Sequence, residues 1–497
     1  MKKPNIVLIL TDDQGCWAMG CAGNREIVTP NLDRLAAGGM RCENFFCASP
    51  VCSPARASLL TGRMPSQHGV HDWIARGNIR QRGKPGADDP EIEYLRGMRA
   101  YTEDLADNGY ICGLAGKWHL GASRHPQKGL SYWHVFPWGG GNYNNARFVR
   151  DGKLRVEPGY LTDVVTRSAL GFIDERAKQR RPFYLGVHFT APHSPWERGQ
   201  HPEELVRLYE KCSFKTCPDL PRAHPWQTST APRGTGPKRH ELLSGYYAAI
   251  TGVDRGVGLI LDKLERLGLR ENTLVIFTSD NGMNMGHHGI WGKGNGTFPL
   301  NMYDTSVKVP MLISQPGRIP AGVVCPELLS HYDMKPTLLD YVGIKDKEGA
   351  ELPGHSFVAL LRGRSMPRRE QVVVFDEYGP VRMLRTRKWK YVHRYPYGPH
   401  ELYDLVNDPG ENHNLVDDPA QARRMAGMRA DLGKWFLRYT DPDRDGTREP
   451  VNGKGQINLV GVAGKGERAF SSSPLAYLDA DGNATGPVSL TPGIPPF

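Results

Sequence analysis

Ile6-Val7-Leu8-Ile9-Leu10, running directly into Thr11-Asp12-Asp13-Gln14-Gly15, is the stretch from which the fold is read. A short apolar run rich in β-branched residues and closed by polar residues reads as a strand buried on both faces. The same form recurs at Ile111 to Ala115, Phe183 to Phe189 and Thr273 to Thr278. Their closing clusters are Gly116-Lys117-Trp118-His119-Leu120-Gly121, Thr190-Ala191-Pro192-His193-Ser194-Pro195 and Ser279-Asp280-Asn281-Gly282. Between the runs lie segments of helical period. The clearest spans Glu241 to Leu267, where Leu243, Tyr246, Tyr247, Ile250, Val253, Val257, Ile260, Leu261 and Leu264 fall mostly on one face. Strands alternating with helices predict an α/β fold built on a large, mostly parallel sheet sandwiched by helices. In such a sheet ligands bind beyond the strand C-termini, so topology alone gathers the four polar clusters at one edge.

The 497 residues exceed what one hydrophobic core usually organises. Near Pro367 the pattern changes to closely spaced runs at Gln371 to Phe375, Val381 to Arg385 and Lys390 to Arg394, which predict a small antiparallel sheet. A helix follows, capped by Asp418 with Pro419 in its first turn, its buried side carrying Ala422, Met425, Met428, Leu432, Trp435 and Tyr439. From Asp441 onward Gly, Pro and Ser dominate. The organisation expected is a catalytic domain over 1–365, a C-terminal antiparallel-sheet-plus-helix subdomain over 366–440, and a tail over 441–497 that wraps the surface or frays.

With 39% hydrophobic and 23% charged residues the chain has the composition of a soluble globular protein. Lys plus Arg exceed Asp plus Glu by 63 to 53, a net +10 that favours anionic partners. The basic residues are scattered, without a basic helix or a stripe interleaved with aromatics, so a nucleic-acid partner is not expected. No apolar run reaches transmembrane length, and no membrane partner is expected. The run Ile6 to Leu10 is too short for a signal-peptide core. The expected location is cytoplasmic as the sequence stands, and periplasmic or secreted if a leader was removed. Nine cysteines, with no CxxC spacing, suggest neither a disulfide framework nor a zinc cluster; Cys212 and Cys217 either pair or merely pack.

Asp12, Asp13, Asp280 and Asn281 offer three carboxylates and one amide oxygen from two strand ends expected to be neighbours. Hard oxygen donors of this kind suit calcium, or magnesium with retained waters, better than zinc. Taken singly, Asp-Asp after a strand also reads as a helix cap, and Asp-Asn-Gly as a turn. Cys52 opens a predicted helix with Pro54 in its first turn and Gly62 at its end. Free N–H groups and the positive end of the dipole there favour a thiolate, sulfate or phosphate. A buried inert thiol is the alternative.

Cys52-Ser53-Pro54-Ala55-Arg56, followed by Ala57-Ser58-Leu59-Leu60-Thr61-Gly62-Arg63, resembles the signature of type I sulfatases, a family of the alkaline phosphatase superfamily. The resemblance extends through Thr11 to Gly15, Gly116 to Gly121, Ala191-Pro192-His193, Asp280-Asn281-Gly282, Lys293 and Val309-Pro310. It continues through Trp389-Lys390-Tyr391, Glu401 to Leu405, Asp408 to Glu411 and Asn414-Leu415, covering roughly residues 4 to 440 in order. It implies the alkaline-phosphatase-like sulfatase fold and hydrolysis of sulfate esters. It also implies a formylglycine made from Cys52 by a formylglycine-generating or anaerobic sulfatase-maturating enzyme, and one calcium held by Asp12, Asp13, Asp280 and Asn281 with the modified residue 52 facing it. In that scheme one hydroxyl of the hydrated aldehyde attacks sulfur, and the other expels sulfate without attack by water on sulfur, a specialised covalent catalysis. Carried over residue by residue, Arg56 orients the diol, Lys117 neutralises sulfate oxygens, His119 assists breakdown of the intermediate, and His193 and Lys293 flank the sulfate and its bridging oxygen. His193 is then the candidate acid for the departing alcohol.

A sulfated carbohydrate is the expected substrate, because aromatic and hydrogen-bonding residues are interleaved near the motifs. They include His71, Trp73, Arg76, Trp138 with Asn142, Trp196, Arg198, His201 and Trp291, with His288 as a supporting or substrate-facing residue. Two alternatives stand beside this reading. One is a phosphonate monoester or phosphodiester hydrolase of the same superfamily, which typically carries His where this chain has Asn281. The other is a non-catalytic protein that binds sulfated glycans. Loss of Asp280 is expected to leave the chain folded, since it reduces the number of buried like charges.

Overall fold

The computed structural model describes residues 3–79, 90–366 and 374–477. The four apolar runs become the strands Asn5–Thr11, Ile111–Lys117, Phe183–His188 and Thr273–Ser279. With Leu130–Phe136 they form five consecutive parallel strands in the order Thr273–Ser279, Asn5–Thr11, Phe183–His188, Ile111–Lys117, Leu130–Phe136. The whole sheet has eleven strands and is mixed. Arg147–Arg150 and Lys153–Val156 extend one flank antiparallel, and Met311–Ser314 runs antiparallel against Thr273–Ser279 on the other. The predicted parallel character thus holds in the centre, where strand connections need covering helices, and gives way toward the edges.

Side-chain alternation divides the central strands between two cores. Ile6, Leu8 and Leu10 pack with Leu274 and Ile276 on one face, while Val7 and Ile9 pack with Val275 and Phe277 on the other. All nine are wholly buried, at about 1.5–3 kcal/mol for a fully buried large aliphatic or aromatic side chain. Helices Cys52–Thr61, Tyr101–Asp107 and Met334–Tyr341 pack together over the first core, and Pro30–Ala37, Leu161–Ala177 and Gly236–Arg266 over the second. The long helix begins five residues before the expected Glu241, with Pro237 in its first turn. Its apolar stripe divides by depth: Val253, Val257, Ile260, Leu261 and Leu264 cover the sheet, whereas Leu243, Tyr246, Tyr247 and Ile250 build a separate cluster nearer the polar edge.

The C-terminal subdomain is a four-stranded antiparallel sheet, Val374–Tyr378, Val381–Arg385, Trp389–Arg394 and Glu401–Asp404. The predicted start of its first strand, at Gln371, lies outside the described residues. Asp418 caps the next segment through Ala420 N–H at 2.9 Å, but a single 3₁₀ turn, Pro419–Gln421, precedes the helix Ala422–Tyr439. The buried side of that helix is Met428, Leu432 and Phe436, four residues apart, and Ala422 is exposed at its first turn. Met425, Trp435 and Tyr439 pack only partly against it. Among the described residues no helix is long and apolar enough to cross a membrane, and all nine cysteines, Cys212 and Cys217 included, are free.

Candidate functional site

Register explains why the acidic clusters meet. Thr11 stands opposite Ser279 in the parallel pair, so the next residues, Asp12 and Asp280, leave the sheet side by side. Asp13 takes a left-handed backbone, φ 65°, and donates its N–H to Asp280 Oδ1 at 3.2 Å. Asn281 Nδ2 donates to Asp13 Oδ1 at 2.8 Å. Tyr246 braces the turn from behind, donating to the Asp13 carbonyl at 2.9 Å and accepting from Gly15 N–H at 3.0 Å. These three carboxylates are buried among three cations. Arg56 donates through Nε to Asp280 Oδ2 at 2.8 Å and through Nη2 to Asp12 Oδ2 at 3.4 Å. Lys117 bonds Asp12 and the Gly139 carbonyl, and Lys293 bonds Asp13.

Burial works to raise the Asp13 pKa, yet Lys293 and then His193 hold it below the ordinary carboxylate value. Burial likewise opposes the Lys293 charge, but Asp13 and the other anions around it push its pKa above the usual lysine range. The Cys52 thiol is pushed up by burial, with Lys117 and Lys293 pulling against it.

Cys52 is the first residue of the helix Cys52–Thr61, and Gly62 ends that helix at φ 72°. Its Sγ lies 3.5 Å from His119 Nδ1. His119 Nε2 is 3.0 Å from the Ile74 carbonyl, which can only accept, so Nε2 carries the proton and the Nδ1 lone pair faces residue 52. Burial, with Lys117 nearby, holds the His119 pKa well below its usual value, so the ring is neutral. Ser53 locks the arrangement, donating to the His119 carbonyl at 3.0 Å and accepting from Ile74 N–H at 3.1 Å. His193 is fixed in the opposite sense. Its Nδ1 donates to the Ser194 carbonyl at 2.7 Å, leaving Nε2 toward Asp13 Oδ2, 3.7 Å away.

These groups form the floor of a cavity of about 570 Å³, lined among others by Asp13, Cys52, His119, His193 and Lys293. That size is ordinary for a small-molecule site. Of the outer residues expected to meet substrate, Trp73, Trp138 and Trp196 reach the wall. Trp196 is almost wholly buried, with its indole N–H on the Pro192 carbonyl at 2.6 Å. The other seven residues named for substrate lie off the wall, among them Asn142, His201, which is buried beside Tyr160, and Trp291, which packs in a core cluster. His71 is buried against the Arg444 carbonyl at 2.8 Å. Arg76 is exposed, and Arg198 pairs outside with Glu203 and Glu210. His288 stacks on Tyr303 at 3.8 Å, where burial lowers its pKa to about 3. An aromatic pocket, not the cavity, claims that ring.

Three parts of the wall escaped the sequence reading. Ser229, Thr230 and Ala231 come from a loop, and Gly453 and Lys454 from the C-terminal segment. The third is the glycine run after Trp138. A Cβ on Gly139 would stand 2.7 Å from His119 Cε1, and one on Gly140 would stand 2.7 Å from His193 Cε1. Both glycines are backbone platforms for an imidazole, and the run Gly139-Gly140-Gly141 was the available signal. Gly140→Ala is expected to lower kcat on any substrate by about 10- to 100-fold by displacing His193, with little change in thermal stability. Undiminished kcat would show that the platform does not set the ring.

The donor set fits a hard cation. Asp12 Oδ1 and Asn281 Oδ1 are buried with no hydrogen-bond partner in the protein, and such oxygens are rare unless a ligand completes them. Asp12, Asp13 and His193 offer ligand atoms that all lie within 4.8 Å of one another. Oxygen donors predominate, as calcium or magnesium requires.

Comparison with known proteins gives the same direction. The sulfatase family profile matches residues 4–344, and that of the C-terminal region of N-sulphoglucosamine sulphohydrolase matches residues 286–436. The N-acetylglucosamine-6-O-sulfatase of Bacteroides thetaiotaomicron is 27% identical over 92% of this chain and 90% of its own. Human arylsulfatase A is 31% identical over 85% of each. A solved protein in complex with its substrate D-glucosamine-2-N,6-O-disulfate superimposes with a TM-score of 0.75 at 24% identity, covering 89% of this chain and 99% of that one. With the motif cysteine, the acidic edge and the sheet all in this arrangement, the chain belongs to the sulfatase family and is a sulfuric ester hydrolase.

Proposed function

We propose that this enzyme removes sulfate from a sulfated carbohydrate, using a formylglycine made from Cys52 and one calcium or magnesium ion held by Asp12, Asp13, Asp280 and Asn281. The observation that carries the reading is the cavity floor, where residue 52 faces the His119 lone pair beside two unpartnered buried oxygens and three cations. The aldehyde hydrate supplies the attacking hydroxyl and the cation supplies charge stabilisation; the remaining work belongs to the chain. Arg56, locked by Asp12 and Asp280, and Lys117 and Lys293 provide a fixed positive field where sulfate oxygens gain charge. His119 Nδ1 is placed to take a proton from the group at position 52. His193 Nε2, the ring nitrogen left free by the bond to Ser194, is placed to hold the proton for the departing alcohol. Carbohydrate is favoured by the indoles of Trp73, Trp138 and Trp196 around polar groups such as Asn78 and Asn295, and by the sugar-sulfate names borne by several relatives.

A panel of position-defined sulfated mono- and oligosaccharides, aryl sulfates and phosphonate esters, run on enzyme with confirmed aldehyde at residue 52, tests the assignment. Efficient cleavage of phosphonate esters with no sulfated sugar turned over would reverse it. The His193 role makes a sharper demand, because a sugar alkoxide leaves poorly unprotonated and a nitrophenolate does not. His193→Gln is expected to reduce kcat/KM on a sugar sulfate by about 100- to 1,000-fold and on nitrophenyl sulfate by under about 10-fold. Equal losses on both would remove His193 from the acid role.

A further inference from the structure

The cavity wall contains a cation that the hydrolysis of a single sulfate does not use. Two lysines line the cavity, Lys293 and Lys454, and Asp13 is the one acid among the described lining residues. Lys293 is paired with Asp13. Lys454 has no carboxylate partner among the described residues.

Its position is built. Gly453 holds φ +79°, and a Cβ there would stand 2.7 Å from Asn295 Cβ; Gly455 holds φ +105°, with its Cβ 2.7 Å from that of Ala75. Both neighbours of Lys454 are therefore glycines because the backbone is left-handed and pressed against the wall. Trp73 donates its indole N–H to the Gly453 carbonyl at 3.0 Å, and Gly455 N–H donates to Asp72 Oδ2 at 2.9 Å. Gln456 N–H continues the attachment to the Trp73 carbonyl at 2.8 Å, and Lys454 N–H is tied to Asn452 Oδ1 at 2.9 Å. A segment fastened on both sides of one residue holds Lys454, half-buried, in the lining of the cavity that it shares with the catalytic floor.

We propose that Lys454 binds a second anionic group of the substrate, so that the preferred substrate is a saccharide carrying a further sulfate or a carboxylate besides the sulfate that is cleaved. This rests on the carbohydrate-sulfate reading of the cavity. A neutral sugar offers Lys454 only hydroxyls, whereas an anion forms a charge-assisted hydrogen bond in a partly desolvated wall. Binding energy gained there, away from the reacting sulfur, raises affinity for the whole ester.

The test compares wild type, Lys454→Gln and Lys454→Arg on one sugar sulfate in three forms: otherwise neutral, with a second sulfate, and with a linked uronate. The readout is the ratio of kcat/KM for each dianionic form to that for the neutral form. Wild type is expected to favour at least one dianion, and Lys454→Gln to lower that ratio by about 10- to 100-fold, chiefly through KM, with Lys454→Arg restoring most of it. The dianion that shows the loss identifies the group recognised. A wild-type ratio near one for both dianions, or a ratio that Lys454→Gln shifts by less than twofold, overturns the proposal while sulfate release from the neutral sugar keeps the carbohydrate reading intact. If wild type desulfates aryl sulfates and none of the sugars, the carbohydrate reading itself fails and takes the Lys454 proposal with it.

Discussion

Cys52→Ala is expected to abolish turnover, lowering kcat by at least about four orders of magnitude, while the protein stays folded. Residue 52 is the one cysteine at the floor of the cavity, and its Sγ makes a single long contact, 3.5 Å to His119 Nδ1. Truncation removes one sulfur and no hydrogen-bonded network, because Ser53 and the Ile74 carbonyl hold His119 without it. The stability change is therefore about 1 kcal/mol or less. Two measurements check this: sulfate release from any ester, and peptide mass spectrometry of active wild-type enzyme, which is expected to find an aldehyde at position 52. The other cysteines serve as controls. Cys42 and Cys325 lie opposite one another in the pair between strands Met40–Phe46 and Val323–Ser330 and do not line the cavity, so substituting them is expected to leave the chemistry in place. Substantial activity in Cys52→Ala would end the proposed mechanism whatever the substrate.

The central sheet and its acidic edge were legible because each strand announces itself locally. Five or six apolar residues followed by Asp-Asp or Asp-Asn need no knowledge of the rest of the chain, and parallel topology does the gathering. The outer wall was legible only in part. Trp73 and Trp196 were found by proximity to motifs, but proximity also suggested His71, Arg198 and His288, which the fold turns toward Arg444, Glu203 and Tyr303. A side chain's direction in a loop depends on partners far along the chain, and no local period encodes it. The C-terminal segment shows the same limit more strongly. Its Gly- and Pro-rich composition reads as a wrapping tail, yet Gly453 to Gln456 is joined to Trp73 and Asp72, more than three hundred residues earlier. The glycines that suggested looseness are the ones that let the backbone press against Asn295 and Ala75.

Asp280→Ala is expected to lose both the proposed cation and turnover, and also to destabilise the fold, in contrast to the expectation from like-charge relief. That expectation considered only the anions, with Asp12, Asp13 and Asp280 crowded together. The structure interleaves them with Arg56, Lys117 and Lys293, so each carboxylate answers a buried cation. Arg56 is the most exposed to the loss. Burial disfavours its charge and Asp280, then Asp12, restore it; with Asp280 gone it keeps only the 3.4 Å contact to Asp12 and the Lys117 carbonyl at 3.2 Å. Leaving one member of a buried pair uncompensated costs about 3–5 kcal/mol, while relief of repulsion between carboxylates already neutralised by their own lysines returns far less. Asp280 Oδ1 also accepts the N–H groups of Asp13 and Asn281, so the turn that aims both proposed ligands loses its anchor. Asp280→Asn preserves much of that hydrogen bonding and is expected to lose turnover with a smaller stability change, which separates charge from geometry. Denaturant unfolding of cation-free protein, metal content per chain and sulfate release distinguish the effects. Unchanged stability in Asp280→Ala would refute the interleaved-charge argument, and a full complement of one divalent ion per chain in that variant would remove Asp280 from the ligand set.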